Sequence, residues 1–346
     1  MIKKIAICGH FGRGKNLLNG QTIKTKILST ELKKQFQENN IKEIDTHGFV
    51  NLLLLFPRLI CALVICENIL ILPAHRGVKL ITVWLKFWNF FFRRKLHYVV
   101  IGGWLPSYLE NHKITARAIK TFTGIYVETN TMKRALENKG FTNIYLMPNC
   151  KNLNIVKLEE LKQTYCKPYK LCTFSRVMKE KGIGDAIEVV KDINSALGET
   201  MYELDIYGSI DVNQTEWFEE LQTNFPSYIS YKGCVNFDKS VETLNKYFAL
   251  LFPTYYSGEG FAGTIIDALA AGLPVIASDW KYNAEIVKHG ICGYIYPTQD
   301  NNALYKILCE VAQNPNKILL LKKNCVDTAK NYLPEQAISL LINNIR

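Results

Sequence analysis

Ser257-Gly-Glu-Gly-Phe-Ala-Gly-Thr-Ile-Ile-Asp-Ala-Leu-Ala-Ala-Gly-Leu-Pro-Val-Ile-Ala-Ser-Asp279 is the stretch whose reading decides the fold. It follows Leu250–Phe252, which reads as a strand. Gly258 and Gly260 bracket Glu259, so the backbone there can turn sharply and approach a ligand. A helix then starts near Ala262, and its free N–H groups and positive dipole end suit a phosphate or a sugar contact. Gly272 ends that helix, Pro274 prevents its continuation, and Val275–Ala277 is the next strand. Glu259 thus lies at the helix mouth and Asp267 one to two turns inside. Two acceptors at that separation can grip different hydroxyls of one extended ligand. The plain alternative is a helix with solvated acids.

Outward from this segment, β-rich runs alternate with helical stretches, as parallel α/β units do. The first half reads as strand Lys3–Cys8, a Gly-rich loop, helix Gln21–Gln37, strand Asn68–Leu72, helix Leu80–Phe91 and strand Tyr98–Ile101. A helix near Ala116–Thr121, strand Ile125–Glu128, helix Thr131–Lys139 and strand Asn143–Met147 follow, closed by Pro148-Asn149. Leu52 to Leu72 is the most apolar region. Pro57, Arg58, Glu67 and Asn68 interrupt it, so it fails as a membrane span and reads as buried strands and a core helix. A polar stretch, Glu159–Pro168, links to a second set. That set has strands Tyr169–Phe174, Tyr202–Tyr207, Ile229–Tyr231, Leu250–Phe252 and Val275–Ala277. Its helices are Gly184–Leu197, Ser240–Tyr247, Gly263–Ala271 and Ala303–Gln313. The tail Pro334–Arg346 reads as a last amphipathic helix. The expectation is two α/β domains, 1–165 and 166–330, with a ligand where the C-terminal ends of the sheets face each other.

Composition supports this. The chain has 346 residues, 48% apolar and 21% charged, enough for two cores. Its ten cysteines are scattered with no C-x-x-C pair, which fits a reducing compartment and argues against a disulfide framework or a zinc site. The N-terminal apolar stretch is too short for a signal peptide. The net charge of +11 is uneven: residues 1–165 carry 25 Lys and Arg against 10 Asp and Glu, while the remainder is slightly acidic. One half therefore faces an anionic partner. No nucleic-acid motif appears. The segment Leu80-Ile-Thr-Val-Trp-Leu-Lys-Phe-Trp-Asn-Phe-Phe-Phe-Arg-Arg-Lys95 joins aromatic residues to a basic cluster, as interfacial helices do, and an ordinary core helix with a basic end fits it equally.

Three further segments carry chemistry. In Phe174-Ser-Arg176-Val-Met-Lys179-Glu-Lys181-Gly182, fixed cations follow a strand, where they can stabilise developing negative charge. The loop Gly9-His-Phe-Gly12-Arg-Gly14-Lys15-Asn16 fits most of a P-loop. Asn16 stands where a magnesium-binding Ser or Thr is needed, so the match reads as a decoy. Val99-Val-Ile-Gly102-Gly103-Trp104 places glycines after a strand, which suggests close backbone contact. No D-x-D triplet occurs, so a metal-bridged phosphate site lacks one usual set of ligands, and fixed cations would do the metal's work.

The sequence resembles the retaining GT-B glycosyltransferases of the large family 4, especially bacterial enzymes that build surface polysaccharides. The likeness spans nearly the whole chain and is strongest from Arg176 to Asp300. The family's E-x7-E motif appears as Glu259-x7-Asp267, with the second Glu replaced by the shorter Asp. Arg176 and Lys181 have its Arg-x4-Lys spacing, and Pro274 to Asp279, Glu285 and Gly293 match its downstream pattern. The resemblance implies two Rossmann-like domains facing a central cleft, with residues 331–346 returning to the first. It implies that Glu259 contacts donor-sugar hydroxyls, that Asp267 binds the ribose, and that Arg176 and Lys181 hold the diphosphate. Gly20 would let the backbone approach the donor phosphates, with Gln21 or Thr22 capping the helix. Gly208, Val235, Gly260, Phe261, Ala262, Gly263 and Thr264 complete the donor side. Many relatives place a His near Gly103; none stands there, and His75 at another strand end could serve, with Trp104 and Asn149 on the acceptor or sugar side.

The function so implied is transfer, with retention, of a hexose-type sugar from a nucleoside-diphosphate sugar, UDP foremost, to a saccharide or lipid-linked saccharide acceptor. It implies no cofactor or metal, no nucleic acid, and a cytoplasmic location at the inner face of a membrane. A nucleotide-sugar epimerase or hydrolase on the same fold, a P-loop nucleotide-binding protein and a non-catalytic membrane-associated module are the alternatives.

Overall fold

In the computed structural model, which describes residues 4–13, 20–75 and 77–346, strand Ile5–Gly9 (β1) is buried along its whole length. Runs such as Ile5-Ala-Ile-Cys8 suit this position, because strands of a parallel sheet are covered on both faces. Around β1 lie Ile41–Asp45 (β2), Asn68–Ile71 (β3), Lys95–Val99 (β4), Gly124–Val127 (β5) and Ile144–Leu146 (β6). They form one parallel sheet in the order β2-β1-β3-β4-β5-β6. This sheet belongs to a unit made of residues 1–152 with 332–346. The chain's last helix, Ser339–Ile345, belongs here: Leu341, Ile342 and Ile345 pack into the core with Ile5, Leu28 and Tyr126. Asn344 Nδ2 also donates to the Tyr126 hydroxyl at 3.0 Å.

The second unit, residues 153–331, is built on Tyr169–Phe174 (β7), Tyr202–Tyr207 (β8), Ile229–Gly233 (β9), Ala249–Phe252 (β10), Val275–Ser278 (β11) and Gly293–Tyr296 (β12). The order is β12-β11-β10-β7-β8-β9, again all parallel. Its core joins Leu171, Leu204 and Leu251 of the strands to Ile183, Val190 and Ile193 of the helix Ile183–Leu197. Residues 153–165 pack with this unit: Val156 N–H donates to Ala270 O at 2.9 Å, and Val156 and Leu161 cluster with Val326.

The helix Gly263–Ala270 ends as its sequence predicts. Gly272 has φ +63°, its N–H reaches Leu269 O at 3.0 Å, and Leu273 N–H reaches Ala268 O at 2.8 Å. These two bonds satisfy carbonyls that the helix end leaves open. Other expectations shift. The predicted strand Tyr98–Ile101 runs instead from Lys95, because pairing with β3 begins at Asn68 opposite Lys95. Strand β2 is absent from the sequence reading; Ile41-Lys-Glu-Ile-Asp is an edge strand with its first three residues half-buried and its last two buried. The apolar stretch before β3 forms the helices Phe49–Leu53 and Leu55–Ile65.

Candidate functional site

In an open α/β sheet, ligands bind beyond the strands' carboxyl ends where the strand order reverses. In the second unit that reversal lies between β7 and β10. The two segments leaving those strands are the two that the sequence singles out. After β7 the chain passes Arg176, makes a one-residue bridge between Val177 and Ile210, and turns through the short 3₁₀ stretch Lys179–Lys181. Gly182 follows at φ +69°, and a Cβ there would stand 2.3 Å from Pro253 O. Only glycine lets this turn press against the end of β10.

That close approach sets Lys181 beside Glu259. Lys181 Nζ donates to Glu259 Oε2 at 2.5 Å, with both side chains nearly buried. The Thr254 hydroxyl donates to the same oxygen at 3.0 Å. Lys181 Nζ also sits over the Tyr256 ring, 5.1 Å from its centre. The loop Thr254–Gly260 is fixed from several sides. Tyr255 N–H donates to Glu180 O at 2.8 Å, Ser278 Oγ to Thr254 O at 2.6 Å, and Trp280 Nε1 to Tyr256 O at 2.7 Å. Lys281 Nζ donates to Ser257 O. An ammonium and a carboxylate are thereby held at one point by a rigid frame, a group for anionic oxygens next to a group for hydroxyls.

The other predicted donor-side residues fall around this point in different ways. Arg176 is exposed and pairs with Asp211 at 3.4 Å. Gly208, directly after β8, has φ +133°, and a Cβ there would stand 1.8 Å from Ser175 O, so it is required by the backbone beside Arg176. Asp267 is buried inside the helix Gly263–Ala270. Phe261 and Ala262 are buried, Gly260, Gly263 and Thr264 half-buried, and Val235 is half-buried in the loop beyond β9. Sequence reasoning missed Thr254, Asp211 and Tyr256. Nothing in Pro253-Thr-Tyr-Tyr marks Thr254 as a partner of a carboxylate five residues on.

In the first unit the reversal lies between β1 and β3. Gly14, Lys15 and Asn16 of the P-loop-like segment lie outside the described residues. The helix Gly20–Phe36 holds Gln21 and Thr22 in its first described turn. Gln21 Nε2 donates to Leu72 O at 3.2 Å, because β3 ends beside this turn. His10 Nδ1 lies 2.7 Å from the Thr22 hydroxyl and its Nε2 3.0 Å from His47 Nδ1, an arrangement the sequence did not reveal. Asp45 anchors the loop by accepting from Phe11 N–H and His47 N–H, both at 2.9 Å. Burial pushes its pKa up, and the backbone N–H groups outweigh that and hold it below the usual value.

His75 and Trp104 are brought together, with ring centres 5.1 Å apart, and His75 also meets Tyr108 at 4.7 Å. The Gly102-Gly103 turn is held by Glu128, whose Oε2 accepts from Gly102 N–H at 3.3 Å. Its Oε1 takes the buried Lys24 Nζ at 2.5 Å. Asn149 Oδ1 accepts from Cys150 N–H at 3.0 Å.

Residues 168–314 match the family model described as glycosyl transferases group 1. The GtfA subunit of the UDP-N-acetylglucosamine–peptide N-acetylglucosaminyltransferase of Streptococcus pneumoniae is 26% identical over 182 residues, 50% of this chain and 34% of its own length. The Streptococcus gordonii GtfA subunit is 26% identical over 237 residues, 64% of this chain and 44% of its own length. The chain thus spans less than half of each of these two relatives. The amylovoran biosynthesis glycosyltransferase AmsK of Erwinia amylovora is 25% identical over 164 residues, 44% of this chain and 38% of its own. Among solved structures, Anabaena Alr3699/HepE in complex with UDP superposes with a TM-score of 0.73 at 13% identity, covering 99% of each chain. The fold, two parallel six-stranded sheets with helices, is that of GT-B glycosyltransferases, and within it residues 168–314 are the part that matches the glycosyl transferases group 1 model.

Proposed function

We propose that this chain is a retaining glycosyltransferase that moves a hexose-type sugar from UDP to a saccharide or lipid-linked saccharide acceptor in surface-polysaccharide assembly. The observation that carries the reading is the Lys181–Glu259 pair at the β7/β10 reversal. The UDP-bound neighbour and the amylovoran relative favour the donor and the pathway class. Lys181 and Arg176 take the diphosphate, Glu259 accepts from sugar hydroxyls, and Asp267 from the ribose. The bond from sugar C1 to the phosphate oxygen breaks, and the acceptor oxygen bonds C1 on the same face. The acceptor's proton passes to the leaving phosphate. Fixed cations meet the developing charge, so the reaction runs without a metal ion, at the cytoplasmic face of a membrane.

The test is thermal unfolding with UDP, GDP or ADP in the presence of a chelator, followed by NMR of the product anomer. A ligand bound only to the folded state raises the midpoint. UDP should raise it selectively, the rise should vanish in Arg176→Ala and Asp267→Asn, and the product should keep the donor's configuration. No response to any nucleoside diphosphate, a response only to magnesium-ATP, or release of free sugar without transfer overturns the reading.

A further inference from the structure

The helix Val78–Phe92 is apolar on its outer face as well as on its inner one. Its inward stripe, Val78, Ile81, Thr82 and Leu85, is buried. Its opposite face, at spacings of three and four residues, carries Leu80, Phe87, Phe90 and Phe91, where charged and polar residues are the norm. Phe90 is 77% exposed and Phe87 62%. Eleven of the nineteen large apolar residues exposed among the described residues fall between Phe49 and Phe91. Such a concentration marks a surface that meets something apolar. The patch continues sideways, since Trp84 meets Phe56 with ring centres 4.9 Å apart on the helix Leu55–Ile65, where Val64 and Ile65 are exposed too.

Charge identifies the occupant. From Thr46 to Leu109 the sequence has seven Lys and Arg and a single acid, Glu67. Lys79 and Lys86 stand exposed on the helix itself. Arg94, just past its end, is clamped at the patch edge, donating Nε to Leu63 O at 2.8 Å and Nη2 to Val64 O at 3.0 Å. A second copy of this chain meeting the same face would set cation against cation. An anionic bilayer answers both features at once: rings enter the boundary between headgroups and acyl chains while ammonium and guanidinium groups meet phosphates. No helix of the described residues is long and apolar enough to cross a membrane.

We propose that the outer face of the helix Val78–Phe92, with Val64 and Ile65 beside it, is a docking surface that lies in the plane of a bilayer rich in anionic headgroups. This deepens the membrane side of the function proposed above and rests on that side only, not on its chemistry. The test is sedimentation of the full chain with vesicles of phosphatidylcholine alone or mixed with phosphatidylglycerol. Wild type should pellet with the mixed vesicles and be released by salt. Phe87→Ser with Phe90→Ser should weaken partition by at least about tenfold, and Lys79→Ser with Lys86→Ser should weaken it on the mixed vesicles alone. Circular dichroism and the UDP thermal response of each variant report folding and the donor site separately. The proposal is overturned if folded wild type pellets with neither vesicle or if the Phe variant pellets like wild type. It is also overturned if the Phe pair instead converts a dimer to a monomer. Absence of any UDP response in wild type that still pellets would refute the transferase reading and leave the docking surface standing.

Discussion

The Lys181–Glu259 pair allows its structural and its binding roles to be separated. At 2.5 Å, the gross attraction is about 7 kcal/mol at an effective dielectric of about 20. Desolvation of both ions cancels most of this, so the pair itself contributes little. Breaking it is different: the side chains keep only 12% and 10% of their exposure, and a lone buried charge costs about 3–5 kcal/mol. Lys181→Met should therefore lower the urea midpoint of the second unit by about 1–2 M. Lys181→Met combined with Glu259→Gln should recover most of that loss, because no charge is left stranded. UDP binding by calorimetry should not recover with it. Losing a charge-assisted bond to the diphosphate costs about 1.5–3 kcal/mol, about 10–100-fold in affinity, in both the single and the double variant. If the folded double variant binds UDP as wild type does, Lys181 is a structural partner of Glu259 and the assigned role fails.

Two further outcomes follow from backbone and burial. Gly208→Ala should cost about 3 kcal/mol or more in the second unit, since the new Cβ would stand 1.8 Å from Ser175 O. Gly184→Ala, with open space at its Cβ, should instead gain a few tenths, about 0.5 kcal/mol, and denaturant melts of both variants check the contrast. Lys322 is buried, and burial lowers its pKa from 10.5 to about 8; its ammonium donates to the Tyr165 hydroxyl at 2.9 Å. At pH 7 both folded and unfolded states are charged, so the fold carries a penalty of about 3 kcal/mol. Lys322→Met should stabilise the protein at pH 7 by about 2 kcal/mol after the lost hydrogen bond. Because wild type recovers as the pH rises from about 8 toward 10.5, the gain should shrink over that window. A gain that is absent at pH 7, or constant up to pH 10, refutes the account.

The second unit was more legible in the sequence than the first, for a physical reason. Between β7 and β12 the signals are backbone signals: Gly182 and Gly272 have positive φ, Pro274 stops a helix, and apolar runs are bounded on both sides. These leave marks at fixed offsets. The first unit is held by side chains far apart in sequence, such as Lys24 with Glu128 or Asp45 with the Phe11 and Arg13 N–H groups. No local pattern announces such pairs. The helix Asn316–Ala329 escaped notice because its buried stripe includes Lys322, which breaks the apolar periodicity. Tyr98–Ile101 was displaced for the opposite reason: its apolar run continues past the strand into the turn that Glu128 holds.

The spacing from Arg176 to Lys181 and Gly182 also has an architectural cause that ranks the two cations. The bridge of Val177 to Ile210 pins the chain just after Arg176, and one 3₁₀ turn returns it to Gly182, which abuts Pro253. Lys181 is thereby delivered to Glu259 by packing alone, before any ligand arrives. Arg176 keeps 57% of its side-chain exposure and a single long contact to Asp211, so the frame does not fix its guanidinium. A donor diphosphate would meet Lys181 already in place, at little entropic cost, whereas ordering Arg176 costs about 1 kcal/mol or more of side-chain entropy on binding. Preorganisation favours Lys181 as the group that sets affinity. On the proposed reading, Arg176 adds to that affinity once the ligand has ordered it, and its hold would strengthen further as charge builds on the leaving phosphate, an interaction that accelerates the reaction.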